Sequence, residues 1–191
     1  MRLELILTHK AQGRLLDIGG GRGDFLELAA SRFDVGAIDI SPYAASRLPL
    51  ELRDRITIGD IERMELPSLS YEVVTAFNVL EHLRRPFEVI RKVGHALVPG
   101  GIFVGSVPCN SGLIGSVHTA VTNYFDRTHI SCHKVSAWRA EFQSVEALET
   151  RLFGEVMLDG GLCVYINNRL WPQLSLNMMF LSRKLSEPDG I

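Results

Sequence analysis

Four of the five residues from Gly19 to Gly23 are glycine, and they join a short apolar run, Leu15-Leu16-Asp17-Ile18, to a helical pattern beginning at Asp24. No other feature constrains the chain as much. Glycines between a strand and a helix let the backbone turn tightly and come within contact distance of a ligand, with helix-end N–H groups facing it. The spacing excludes two phosphate binders. The dinucleotide pattern G-x-G-x-x-G would put its third glycine at Asp24, counted from Gly19, or at Leu26, counted from Gly21. A triphosphate-binding loop would need Gly-Lys-Ser/Thr, which the turn lacks. What stands there is D-x-G-x-G-x-G, carried by Asp17, Gly19, Gly21 and Gly23, with Gly20 inside it. An acid two residues ahead of the first glycine repels phosphate and suits a ligand with cationic groups.

Around this turn, strand and helix alternate. Residues 3–10 read as a short helix ending near Gly13. Apolar runs predict strands at Arg14–Ile18, Val35–Ile40, Arg55–Gly59, Glu72–Val79 and Ile102–Val107, and later at Val145–Phe153 and Met178–Arg183. Phe25, Leu28, Ala29 and Phe33 give a helix over 24–33, Ser41-Pro42 opens another, and Pro86 opens a third that Pro99-Gly100-Gly101 stops. Val135, Trp138 and Phe142 mark a fourth. Such alternation means crossover units and a mainly parallel α/β sheet. Pro108–His133 breaks the rhythm. It shows neither period, and a loop of that length is read as a lid.

Composition narrows the class. A chain of 191 residues, 46% hydrophobic, is expected to be one domain over 1–185, with the lid at 108–133 and a flexible tail at 186–191. Its net charge of −2 gives no basic footprint, so nucleic acid is not expected as a partner. Three cysteines without a C-x-x-C pair fit a reducing cytoplasm rather than a disulfide framework or a zinc site. The uncharged stretch between Lys92 and Asp126 is cut by Pro99-Gly100-Gly101 and Pro108-Cys109-Asn110-Ser111, leaving no piece long enough for a membrane span.

The motif Asp17-Ile18-Gly19-Gly20-Gly21-Arg22-Gly23 resembles the first motif of the class I S-adenosylmethionine-dependent methyltransferases. Asp39 at the end of the second strand, Asp60 in Gly59-Asp60-Ile61, Phe77-Asn78-Val79-Leu80-Glu81-His82-Leu83 and Leu97-Val98-Pro99-Gly100-Gly101 extend the likeness over roughly residues 14–143. Ser106-Val107-Pro108-Cys109-Asn110 and Asp126-Arg127-Thr128-His129-Ile130 resemble the small-molecule and ubiquinone-type branch. The resemblance implies a Rossmann-like three-layer sandwich whose seven-stranded sheet ends in an antiparallel strand. It also implies S-adenosylmethionine as cofactor and S-adenosylhomocysteine as product. The cofactor would be bound by Asp17, Gly19, Gly20, Gly21, Gly23, Asp39, Ile40, Asp60, Ile61 and Asn78. Asp39 would accept the ribose hydroxyls and Asp60 the adenine amino group, with Ile40 and Ile61 against the purine.

Two departures shape the rest. Relatives carry further N-terminal helices over the substrate, whereas about a dozen residues precede the first strand here. The site is therefore expected to be open, closed by the lid alone, or completed by a second copy or a partner subunit. Some O-methyltransferase relatives bind a divalent metal through E-x-x-E-H and a later histidine; Asn78 occupies the first of those positions, so no metal is expected. For the chemistry, His129 is the candidate general base, since imidazole titrates nearest neutrality. Three readings stay open. One is methyl transfer to a small molecule, with oxygen the expected acceptor atom. The second is a nucleic-acid methyltransferase using Arg84, Arg85, Arg91 and Lys92. The third is a non-catalytic cofactor-binding subunit of a partner complex.

Overall fold

In the computed structural model, which describes residues 1–125, 127–157, 163–167 and 171–186, the strand residues Val73, Val74, Thr75 and Ala76 are all fully buried. A run buried on both faces needs a layer on each side. They form the middle of β4 (Tyr71–Phe77), which pairs in parallel with β1 (Arg14–Ile18) on one side and β5 (Leu97–Pro108) on the other. Beyond β1 lie β2 (Asp34–Asp39) and β3 (Ile56–Ile58), also parallel. Beyond β5 the pairing turns antiparallel, with β8 (Asn177–Lys184), β6 (Leu148–Met157) and β7 (Cys163–Ile166) in that order. Among the described residues the sheet order is β3-β2-β1-β4-β5-β8-β6-β7.

Helices cover both faces. On one, Leu3 and Ile6 of α1 (Arg2–Leu7) and Leu26 and Ala29 of α2 (Asp24–Ala29) pack on Leu15, Val35 and Val104. On the other, Val89 and Ile90 of α4 (Pro86–Ala96) and Trp138 and Phe142 of α6 (Val135–Ser144) pack on Leu16, Val74, Phe103 and Phe180. Between β2 and β3, α3 (Pro42–Arg47) begins where the Ser41 hydroxyl accepts the Tyr43 N–H. The three-layer α/β architecture expected from the sequence is the one observed.

Several details differ. Among the described residues there are eight strands rather than seven, and four of them, β5, β8, β6 and β7, rather than the last alone, take part in antiparallel pairings. The extra strand, β7, spans only Cys163–Ile166, too short to display a period. β5 begins at Leu97, ahead of Pro99-Gly100-Gly101, and its register with β4 shifts there. The presumed lid loop contains a 14-residue helix, α5 (Gly112–Phe125). It escapes pattern reading because its inward side is small and polar. Gly115 and Thr119 are buried, while Leu113, Val117, Val121 and Tyr124 face solvent. Of the expected tail, 187–191 lie outside the described residues, as does Asp126 in the lid motif. Among the described residues no helix is long and apolar enough to cross a membrane.

The seating of α5 depends on Gly115, beside the short helix α7 (Trp171–Leu174). A Cβ there would lie 2.1 Å from the Cys109 carbonyl oxygen. Gly115→Ala should lower unfolding stability by roughly 1–3 kcal/mol, the usual cost of forcing atoms into a packed contact. Denaturant melts read this directly. Wild-type stability in the variant would mean that α5 does not rest on Cys109.

Candidate functional site

Strand order reverses between β1 and β4, since the chain leaves β1 toward β2 and β3 and later returns to build β4 and β5 on the other side. The loops after the two strands therefore diverge, and a crevice opens at their C-terminal ends. A cleft of about 860 Å³ lies there, within the usual range for small-molecule and cofactor sites. Gly19, Asp39, Ile40, Asp60, Ile61 and Asn78 line it. Asp17, Gly20, Gly21, Gly23 and His129 are not among its lining residues.

Gly19 sits where β1 ends. Its φ is +75°, and a Cβ would stand 2.3 Å from Cγ2 of Val79 after β4. Only glycine permits both the turn and this close approach between the two loops. Asp39 closes the turn from the side. One carboxylate oxygen accepts the Gly21 N–H at 2.8 Å and the other accepts the Ser41 N–H at 2.8 Å. Each oxygen keeps a second lone pair for a ligand in the cleft. Ile40 beside it is 72% exposed, an apolar side chain left open at the cleft wall.

Asp60 follows β3 and starts a single turn, with its backbone carbonyl accepting N–H groups from Arg63 and Met64. Its carboxylate accepts the Glu62 N–H at 3.0 Å and meets Arg63 Nε at 3.3 Å. Across the cleft Asn78 adopts φ +55°, a left-handed conformation that asparagine tolerates better than most residues. Its amide oxygen accepts the Ser106 hydroxyl at 3.0 Å, and its N–H donates to the Ser106 carbonyl.

Asp17 lies under the turn rather than in the cleft. It is 3% exposed, accepts the Thr75 hydroxyl at 2.6 Å, and would stand 3.9 Å from a Cβ on Gly20. Burial pushes its pKa up to about 7; the neighbouring Asp39 charge adds to the rise, and the Thr75 hydrogen bond and Arg2 oppose it. A cation arriving above it would favour the ionised form.

The other end of the cleft is built from the segments after β4 and α5. His82, Thr128 and Ile130 line it, and the His82 Nδ1 lies 2.9 Å from the Thr128 hydroxyl. His129 is half-buried behind them, its ring 4.6 Å from that of His82. Its Nδ1 lies 2.9 Å from the Asn123 amide oxygen, which can only accept. With Oδ1 so assigned, Nδ1 carries the proton and Nε2 is the basic nitrogen of the neutral ring. Glu81, 1% exposed, completes a trio in which one ligand atom each from Glu81, His82 and His129 lie within 4.8 Å of one another. A carboxylate and two imidazoles can hold a divalent ion, so the donor set is closer to a metal site than Asn78 alone suggests. Sequence reasoning named Thr128 and Ile130 only as part of a motif and gave Glu62 and Arg63 no role. The signal was there, because Thr128 and Ile130 flank His129, and Glu62 and Arg63 follow Asp60 by two and three positions.

A family model described as a methyltransferase domain, Methyltransf_23, matches residues 2–147. The chain is 35% identical over 109 residues to the 27-O-demethylrifamycin SV methyltransferase of Amycolatopsis mediterranei, covering 52% of this chain and 40% of that protein. It is 34% identical over 111 residues to the ubiquinone biosynthesis O-methyltransferase of Nitrosococcus oceani, covering 53% and 47%. The matched region is thus less than half the length of either relative. Among solved structures, an S-adenosylmethionine-dependent methyltransferase from Thermotoga maritima superposes with a TM-score of 0.75 at 12% identity, covering 96% of this chain and 87% of that one. At that identity the likeness speaks for the fold.

The Asp17 carboxyl makes a pH prediction. Its pKa is about 7 in the folded protein against 3.8 as the ordinary value, so between those values the folded form holds more protons. Stability should therefore fall as pH rises from about 4 to about 7 and flatten above, relative to Asp17→Asn, which has no such proton. Denaturant unfolding of both proteins at pH 5, 6, 7 and 8 compares the slopes. Parallel profiles would show that Asp17 is ordinarily ionised.

Proposed function

Because the chain belongs to the methyltransferase-domain family of class I S-adenosylmethionine-dependent enzymes, we propose that it moves the sulfonium methyl of S-adenosylmethionine to an oxygen of a small-molecule acceptor. The observation that carries this reading is the pair of carboxylates on one cleft wall, Asp39 and Asp60, each followed by an isoleucine that lines the same cleft. A nucleoside fits that spacing of chemistry. Asp39 would accept the ribose hydroxyls, Asp60 the adenine amino group, and Ile40 and Ile61 would cover the purine faces. The methionine ammonium and the sulfonium would then lie toward the glycine turn, above Asp17.

Methyl transfer is an in-line displacement. The acceptor oxygen attacks the methyl carbon, the carbon–sulfur bond breaks with its electron pair staying on sulfur, and the neutral thioether S-adenosylhomocysteine leaves. Holding donor and acceptor in line can supply about 7–11 kcal/mol of the barrier. His129, with Nδ1–H donated to Asn123, would take the acceptor proton on Nε2. One relative named above is an O-methyltransferase, which supports oxygen as the attacked atom. The nucleic-acid reading loses much of its basis, since three of its four cations are engaged elsewhere. Arg85 pairs with Glu88, Arg91 with Glu141, and Lys92 caps backbone carbonyls.

Three outcomes are expected. Asp39→Ala should weaken S-adenosylhomocysteine binding by roughly 1.5–3 kcal/mol in a folded protein, the size of a lost charge-assisted contact. Calorimetric titration measures it, and wild-type affinity would remove Asp39 from the site. His129→Gln should lower kcat by about 10²–10⁴-fold with cofactor affinity unchanged, and turnover of the wild type should survive exhaustive chelation. Loss of turnover in EDTA, restored by Mg²⁺ or Zn²⁺, would instead make His129 a metal ligand with Glu81 and His82.

A further inference from the structure

Lys92 lies on α4, away from the cleft lining, yet its ammonium is the meeting point of one loop's carbonyls. Its Nζ donates to the Ile61 carbonyl at 2.9 Å, to the Glu62 carbonyl at 3.4 Å, and to the Met64 carbonyl. These belong to the single turn that starts at Asp60, and a turn that stops leaves its last carbonyls without intrahelical donors. The Asp60 carboxylate serves the opposite end by accepting the Glu62 N–H at 3.0 Å. The turn is therefore capped at both ends, by an acid it contains and by a cation from α4.

A second brace runs the other way. The Glu62 carboxylate accepts the backbone N–H groups of Arg85 at 2.6 Å and Arg84 at 3.2 Å, where α4 begins. The Glu62 side chain itself is 12% exposed. The α4 helix and the turn thus hold each other at two points. The neighbouring Arg91 offers a contrast, because its guanidinium pairs with Glu141 on α6 instead.

We propose that Lys92 is a positioning residue for cofactor binding: it fixes the turn that presents Asp60 and Ile61 to the adenine base, a role that rests on the cofactor reading above. It touches no ligand. It sets where the ligand's partners stand, so that the base meets a preformed wall rather than one it must order on arrival.

The test replaces the ammonium and keeps the stem. Lys92→Met should raise the dissociation constant of S-adenosylhomocysteine about tenfold, the size of one lost hydrogen bond to a charged group. Methylthioadenosine, which has base and ribose but no amino-acid part, should lose affinity by the same factor. The cofactor KM should rise while kcat and the acceptor KM stay unchanged. Lys92→Arg, still a cationic donor, should restore most of the affinity, and Arg91→Met should change none of it. In the unliganded protein the amides of residues 62–64 should exchange faster in Lys92→Met, with those of β1 unaffected; should that variant not fold, Lys92→Gln replaces it. Unchanged nucleoside affinity, unchanged exchange in the turn, or a loss of kcat equal to the loss of affinity would each overturn the proposal. Failure of the wild type to bind either nucleoside would overturn the cofactor reading instead, and the exchange experiment would still read the brace.

Discussion

The parallel pairing of β1 with β4 is the contact on which the site depends. Leu15, Leu16 and Ile18 stand against Val73, Val74 and Ala76 with almost no exposure on either strand, so the two strands are fixed by packing on both faces. Their continuations then have to part, one toward β2 and one toward α4, and the cleft is the space between them. Gly19 and Val79 meet at its floor, and the Asp17–Thr75 hydrogen bond crosses the seam just below. A change that disturbs this pairing would displace both walls together.

The acids at the strand ends are held in place by the protein itself. Asp39 ends β2, Asp60 follows β3 and Asp17 stands one residue before the end of β1, beneath the turn, and each is engaged by a hydroxyl or a backbone N–H in the unliganded protein. Asp39 and Asp60 are therefore held in place before a ligand arrives, with lone pairs left over for it. Asp17 differs. Burial makes its ionised form costly, and a cationic ligand above it would offset that cost. Arg63, Arg84 and Arg85 line the same cleft, so its acids are balanced by cations, and the oxygens left for a nucleoside's polar groups are those of Asp39 and Asp60.

The cleft wall that carries Asp39 and Asp60 could be read in the chain because its determinants are local. Glycine turn, Asp39 and Asp60 are each set by a strand end, and strand ends show in apolar runs and their punctuation. The end of the cleft near His82 and His129 was less legible. The His129 Nδ1 meets the amide oxygen of Asn123, six residues earlier on α5, and that helix was hidden by an apolar face that points outward. Lys92 was equally opaque. In the sequence it is one of four cations near α4, and only the fold shows that its ammonium closes a turn some thirty residues back. β7 was missed for the simpler reason that four residues carry no readable period.

The central claim is that one cleft at the β1/β4 switch point holds S-adenosylmethionine with its base on the Asp60 turn and its ribose on Asp39. A crystal structure of the protein with S-adenosylhomocysteine tests this most directly. The account predicts ribose hydroxyls within hydrogen-bond distance of both Asp39 oxygens, the adenine amino group on Asp60, and the purine between Ile40 and Ile61. A ligand bound elsewhere on the sheet, or bound here with its base on the glycine turn and its amino acid at Asp60, would contradict it.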